Sequence, residues 1–261
     1  MSRRVAQLPI RAQKERMEPI FQSALPYSEA DRRALPGVAP LDPGNWLLQD
    51  DAFAAQMALR ARLIAERRGD VIALLPEGQA AAQELLSTVL AQLADARAYR
   101  VGKAEVLRPD AVTVVIDRAD PLATLGHLVQ EDLCLLQRPD EAAEHLLTGA
   151  VLCFPSAWTL AQKIGRPMMR IHDPVPDYDA GIGKRVQRML DGVQAGRPLW
   201  RFNWLPTDDT ALFRPMLEYS DKIRRAGLPY LRSERQTLWR LPKSGAVVFG
   251  IHTYLVRIDD L

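Results

Sequence analysis

The chain has 261 residues, with 34 Lys and Arg against 32 Asp and Glu, a formal net charge of +2. That length suits one large domain or two small ones at roughly 100–200 residues each. A content of 48% apolar and 25% charged residues excludes a disordered or collagen-like chain. The even charge argues against a nucleic-acid binder, whose face would be strongly basic. No window reaches about 18 uninterrupted apolar residues, so no membrane-spanning helix is expected. The start, with Arg3, Arg4, Arg11, Lys14 and Arg16, lacks the apolar core of a secretory signal. Its basic residues suit a solvated tail or an interaction arm. The expected location is the cytoplasm, with Cys134 and Cys153 free and reduced, since no Cys-x-x-Cys pair occurs.

Residues 1–45 contain Pro9, Pro19, Pro26, Pro36, Pro40 and Pro43 and read as an extended N-terminal arm on a domain spanning 46–261. Asp50 or Asp51 caps a helix carrying Phe53, Met57, Ala61 and Ile64 at helical spacing, ending near Gly69. A strand is expected over 71–75, an amphipathic helix over 79–97 and a buried strand over 112–116. Asp120-Pro121 opens a helix expected to run through about 136. Then come a strand over 146–154, a short helix over 158–164, a strand end at 170–171, a helix over 182–193 and a strand over 199–205. Residues 234–241 and 246–258 form a hairpin through Pro242-Lys243-Ser244-Gly245. In its second arm Val247, Phe249, Ile251, Thr253 and Leu255 share one face, and both faces are apolar, so the strand should be covered on both sides. The order of elements predicts α+β with an antiparallel sheet.

Several chemistries are missing from the sequence. Gly181-Ile182-Gly183-Lys184 is followed by Arg185, which does not match a phosphate loop. No dinucleotide fingerprint, nucleophile elbow or zinc-protease motif occurs, and Ser156 has no base positioned near it. Of four histidines, His127 and His145 sit among charged neighbours, and His252 shares a strand face with Val248 and Tyr254 as a core histidine would. His172 stands in Arg170-Ile171-His172-Asp173-Pro174-Val175-Pro176, where a stiff loop could aim one imidazole at a metal or serve structure alone. Arg232-Ser233-Glu234-Arg235-Gln236-Thr237-Leu238 is polar inside a strand, with Glu234 and Gln236 on one face and Arg235 and Thr237 on the other. It is either an edge strand with a solvated face or a buried cluster offering a carboxylate and a guanidinium.

Phe154-Pro155-Ser156-Ala157-Trp158, the stretch 171–176, and Glu234-Arg235-Gln236-Thr237-Leu238 continuing through Arg240-Leu241-Pro242-Lys243-Ser244-Gly245 to Thr253-Tyr254 resemble the signature blocks of one family. That family is the haem-dependent oxidative N-demethylase alpha-subunit-like proteins. Leu41-Asp42, Trp46, Asp50 and Gln130-Glu131-Asp132-Leu133 also fit it. The resemblance spans roughly residues 40–258 and implies a PAS-like fold holding non-covalent haem b. It implies oxidative removal of a methyl group from a small secondary amine such as dimethylamine, using O2. A carbinolamine would then collapse to formaldehyde and the demethylated amine. His172 lies in a family block, whereas arginine often stands at the position of His252, so the resemblance puts the iron ligand at His172.

Glu234 and Tyr254 are candidates to meet the substrate ammonium, and Arg235 and Arg201 candidates for the haem propionates. Electrons would come from a partner reductase carrying flavin and drawing on NAD(P)H. Arg60, Arg62, Arg67 and Arg68 offer one docking face for it, or a merely solvated helix face. No nucleic-acid or membrane partner is expected. A haem-binding PAS-type sensor and a non-catalytic subunit are the alternative functions.

Overall fold

The computed structural model describes residues 18–140, 142–175, 178–220 and 227–261. Pro9, Pro176 and the basic residues Arg3, Arg4, Arg11, Lys14 and Arg16 lie outside the described residues. From residue 18 the chain runs along the sheet and contributes strand β1 (Ala39–Pro40). Helix α1 (Phe53–Glu66) follows, begun where the Asp50 carboxylate accepts the Ala52 N–H. Its buried side includes Phe53, Met57, Leu63 and Ile64. A turn of helix, α2 (Arg68–Val71), leads to β2 (Ile72–Leu74) and to α3 (Gln79–Asp95), which buries Leu86, Val89, Leu90 and Leu93. Strands β3 (Arg100–Val101), β4 (Glu105–Leu107) and β5 (Thr113–Val115) form a separate three-stranded sheet. Asp120 caps α4 (Pro121–Leu128) by accepting the Ala123 N–H, with Pro121 in the first turn.

Strands β6 (Asp132–Gln137) and β7 (Leu146–Val151) precede three helices, α5 (Leu160–Lys163), α6 (Met168–His172) and α7 (Ala180–Gly192). Strands β8 (Leu199–Phe202), β9 (Leu205–Thr207), β10 (Tyr230–Arg240) and β11 (Val247–Arg257) complete the chain. The large sheet is antiparallel in the order β1-β8-β10-β11-β6-β7-β2, with β9 beside β10. Gly245, at φ +68°, closes the turn between β10 and β11 in a conformation that other residues rarely adopt.

Pairing across this sheet sorts its side chains onto two faces. Leu133, Leu135 and Val248 point to a first face, packed with Trp46, Met57, Leu86 and Leu125. Cys134, Leu136, Leu238, Val247 and Ile251 point to a second face, packed with Leu160 of α5, Met168 and Ile171 of α6, and Val186 and Leu190 of α7. β11 is therefore central and covered on both sides, as its apolar pattern predicts. Mixed helix and antiparallel sheet make the fold α+β. Among the described residues no helix is long and apolar enough to cross a membrane.

Four local expectations are corrected. The helix opened by Asp120 stops at Leu128, and 132–137 is a strand whose Asp132 accepts the N–H groups of Cys153 and Phe154. The stretch 112–116 is mostly not buried: β5 ends a small sheet, leaving Val115 70% exposed while Val114 faces the core and Ile116 packs partly against it. Residues 170–171 are helical, because the His145 carbonyl and the Glu144 carboxylate accept the first free N–H groups of α6, on Met168 and Met169. The basic face of Arg60, Arg62, Arg67 and Arg68 loses one member, the other three staying exposed. Arg60 is fully buried and paired with Asp132 at 2.6 Å, while Arg67 pairs with Asp70 and Arg68 with Asp120.

Candidate functional site

The three histidines with ring hydrogen bonds differ in which nitrogen keeps a free lone pair. His252, completely buried on the first face, lies 3.0 Å from Asp50 through Nε2 and 3.0 Å from Glu131 through Nδ1. Burial alone would lower its pKa, but the two carboxylates raise it to about 9. A doubly engaged imidazolium has no lone pair for a metal. His145 accepts at Nδ1 from the Gln187 amide, so its proton sits on Nε2. His172 has the opposite arrangement. Its Nδ1 lies 2.9 Å from the Met168 carbonyl, which can only accept, so Nδ1 carries the proton and Nε2 keeps its lone pair. No hydrogen bond to His172 Nε2 forms among the described residues. A metal-bound imidazole is commonly fixed in this way by a backbone carbonyl.

The position of His172 follows from its helix. It lies four residues after Met168 and so on the same flank of α6, where Met168 and Ile171 pack against the second face of the sheet. Tyr178 packs against the same cluster and stacks on the imidazole, centroids 4.1 Å apart and planes 13° from parallel. Burial lowers the pKa of His172, opposed by the Met168 carbonyl and assisted by Lys163. Lys163, 4% exposed, donates to the Ile171 carbonyl and to Glu218, and Arg170 also grips Glu218 at 2.7 Å. These hydrogen bonds hold the Glu218 carboxyl down at about 2.

The second face ends in a polar cluster on β8, β10 and β11. Arg201 donates to Gln236 at 2.6 Å, and Asn203 donates to Glu234 at 2.8 Å. Arg232 Nε lies 3.5 Å from Glu234, while its other nitrogens donate to the Leu212 and Phe154 carbonyls. Burial lowers the pKa of both guanidiniums, with Glu234 opposing. Among the described residues, four buried atoms on this side have no hydrogen-bond partner: Tyr178 Oη, Arg201 Nε, Arg232 Nε and Thr253 Oγ1. Buried polar atoms are rarely left without a partner, so these are the groups with donor or acceptor capacity to spare.

The candidate residues separate across the sheet. Glu234 pairs with Thr253 and Arg201 with Gln236, placing both on the second face with α6. Tyr254 pairs with Ser233, and Arg235 with His252, placing both on the first face. Arg235 donates to the Asn45 and Trp46 carbonyls and lies 5.5 Å over the Trp200 ring, so it ties down the arm. The edge-strand reading of 232–238 fails, since β10 is paired on both sides and its polar residues are buried.

Sequence reasoning missed Thr253, Arg232, Asn203, Tyr178 and Lys163 as members of this region. For Thr253 the signal was present, because the hairpin turn fixes the register that opposes it to Glu234. The side chains on this side of the sheet have the chemistry a haem needs: one imidazole with a free Nε2, guanidiniums in excess over carboxylate for its propionates, and the apolar Leu238 and Ile251. The family model for haem-dependent oxidative N-demethylase, alpha subunit-like proteins matches residues 37–261, most of the chain.

Proposed function

The chain belongs to the haem-dependent oxidative N-demethylase alpha-subunit-like family, and from that premise we propose that it is a haem-binding catalytic subunit that demethylates a small secondary amine. The observation that carries the assignment of the site is the His172 tautomer, with Nδ1–H on the Met168 carbonyl and no hydrogen bond to Nε2 among the described residues. In this reading the sheet with α5, α6 and α7 on its second face is a PAS-like cradle, and haem b would be held by residues of α6 and of the polar cluster on β8 and β10. Bound haem would supply the activation of O2 and the oxidation of an N-methyl carbon, with electrons from a separate reductase.

His172 would hold the iron through Nε2, with its ring plane set by the Tyr178 stack. Arg201 and Arg232 offer positive charge to the propionates, and the unpartnered Arg201 Nε is available for one. Glu234, beside both guanidiniums, acts as a positioning residue that balances two buried positive charges. It is not left free to meet an ammonium. Tyr254, on the opposite face, takes no part in this site. The substrate class rests on the family.

Haem reconstitution followed by visible spectroscopy tests the site. We expect a strong Soret band in the wild type and its loss or great weakening in His172→Ala. His252→Gln, which removes a histidine already bound on both nitrogens, should keep a near-native spectrum. Spectral loss in His252→Gln with retention in His172→Ala would move the ligand to β11 and overturn the assignment. Formaldehyde release from dimethylamine by the haem-loaded chain with a reductase tests the activity. Intact haem without formaldehyde would favour a sensor.

A further inference from the structure

Beside the C-terminal end of α7, a cavity of about 290 Å³ is lined by Gln137, Arg138, His145, Asp191, Arg240 and Ser244. Its hydrogen-bonding character can be assigned atom by atom. The His145 backbone N–H donates to Gln187 Oε1 at 3.1 Å, which fixes the orientation of that amide. Gln187 Nε2 therefore donates, to His145 Nδ1 at 2.9 Å and to Asp191 Oδ1 at 3.0 Å. With Nδ1 accepting, the ring proton of His145 is on Nε2, and burial holds the ring pKa below its ordinary value. His145 is thus a neutral donor, 3% exposed, whose Nε2–H has no partner among the described residues.

Gln137 Oε1 accepts from Thr148 Oγ1 at 2.6 Å, an arrangement that leaves its NH2 as the free end. Arg138 uses Nη1 on Asp191 at 3.0 Å and keeps its remaining donors. Arg240 is held on the Leu190, Val193 and Gly245 carbonyls, where its charge offsets the negative end of the α7 dipole. Asp191, the one carboxylate on the wall, is already bound by Gln187 and Arg138. The wall therefore presents three groups with free donors, its one carboxylate is already bound by two donors, and two guanidiniums stand against it.

We propose that this cavity binds a small oxyanion, a carboxylate or a phosphate, through His145 Nε2–H, the Gln137 amide and Arg138. A cation would find no free carboxylate, and an apolar ligand would leave every donor unmet. A ligand that only accepts, with several oxygens on one centre, matches all three donors at once.

The test uses the full chain, with inorganic phosphate and acetate titrated separately and sodium chloride at matched ionic strength as control. Imidazole signals of His145 are followed by long-range nitrogen–proton NMR. The expected result is a saturable shift of the Nε2 signals by one or both anions, not given by chloride, with Nδ1 remaining the unprotonated nitrogen. Arg138→Ala, a change at a half-exposed side chain, should fold normally and weaken binding about tenfold, the worth of one charge-assisted hydrogen bond. Tighter binding of phosphate or of acetate then tells a tetrahedral from a planar ligand. A shift that does not saturate, equals that of chloride, or is unchanged in Arg138→Ala would overturn the proposal.

Discussion

His252 is held between Asp50 and Glu131 with none of its ring in solvent, and the same network extends outward. Gln130 donates to Asp50 and Gln56, Gln22 donates to Asp50, and Glu131 accepts the Leu48 N–H. One buried positive ring thus ties the arm, α1 and the approach to β6 onto β11. Its pKa is raised in the folded chain to about 9, from an ordinary 6.5. A group whose pKa rises on folding contributes stability that is complete below 6.5 and is lost as pH climbs through 9. At about 1.4 kcal/mol for each tenfold step, the contribution is on the order of 3 kcal/mol. We expect urea midpoints of the wild type to fall across that alkaline window, and those of His252→Gln to stay flat there. Equal slopes for the two proteins would show that the ring is not charged in the fold. Asp50, whose pKa is lowered despite burial, acts at the other end: its contribution is lost as pH falls below 3.8. The sequence revealed His252 as a core residue on a strand, but not its two carboxylates, which arrive from segments about 120 and 200 residues away in a contact that no local pattern encodes.

A helix of five residues cannot hold itself together in water, since nucleation is costly and α6 closes barely one turn. Its position comes from outside contacts. The His145 carbonyl and Glu144 hold its start, Lys163 holds the Ile171 carbonyl near its end, and Glu218 binds both Lys163 and Arg170. Gly183 of α7 lets α6 close in, because a Cβ there would lie 2.1 Å from Met169 Sδ. Lys163→Met removes the ammonium and leaves Glu218 with Arg170 alone. We expect that variant to fold but to bind haem about tenfold more weakly, the range typical for partners that orient a metal ligand. Its ferrous iron–histidine stretching band should also broaden or shift. Unchanged affinity and an unchanged band would mean that α6 is positioned without Lys163.

The legibility of elements follows the same logic. β10 and β11 were readable because eleven alternating residues and a Pro-Lys-Ser-Gly turn specify one register. α6 was not, because its order comes from side chains outside it, Lys163 on the preceding helix and Glu144 and Glu218 farther off in sequence. β6 was misread because Leu133, Cys134, Leu135 and Leu136 form an apolar run that satisfies a buried strand and a buried helix equally.

At the scale of the whole molecule, the sheet divides two tasks between its faces. The first is closed by the arm, α1, α3 and α4 around the His252 network, and the second carries α6 and the Arg201–Glu234–Arg232 cluster. The proposed chemistry needs electrons, and the sequence offers no dinucleotide fingerprint, flavin motif or cysteine cluster from which to draw them. In the proposed reading a separate reductase would supply them, and we do not expect Arg67 and Arg68 to form its landing face, since both pair with acids, while Arg60 is buried. Neutralising Arg67 and Arg68 together should leave the dependence of turnover on reductase concentration unchanged. Haem-loaded protein, dimethylamine, O2 and NAD(P)H should give no catalytic formaldehyde until a flavin-containing reductase is added. Sustained formaldehyde from the chain and NAD(P)H alone would reveal an electron-accepting site of its own. A raised KM for the reductase in the double variant would return the docking face to this region of the surface.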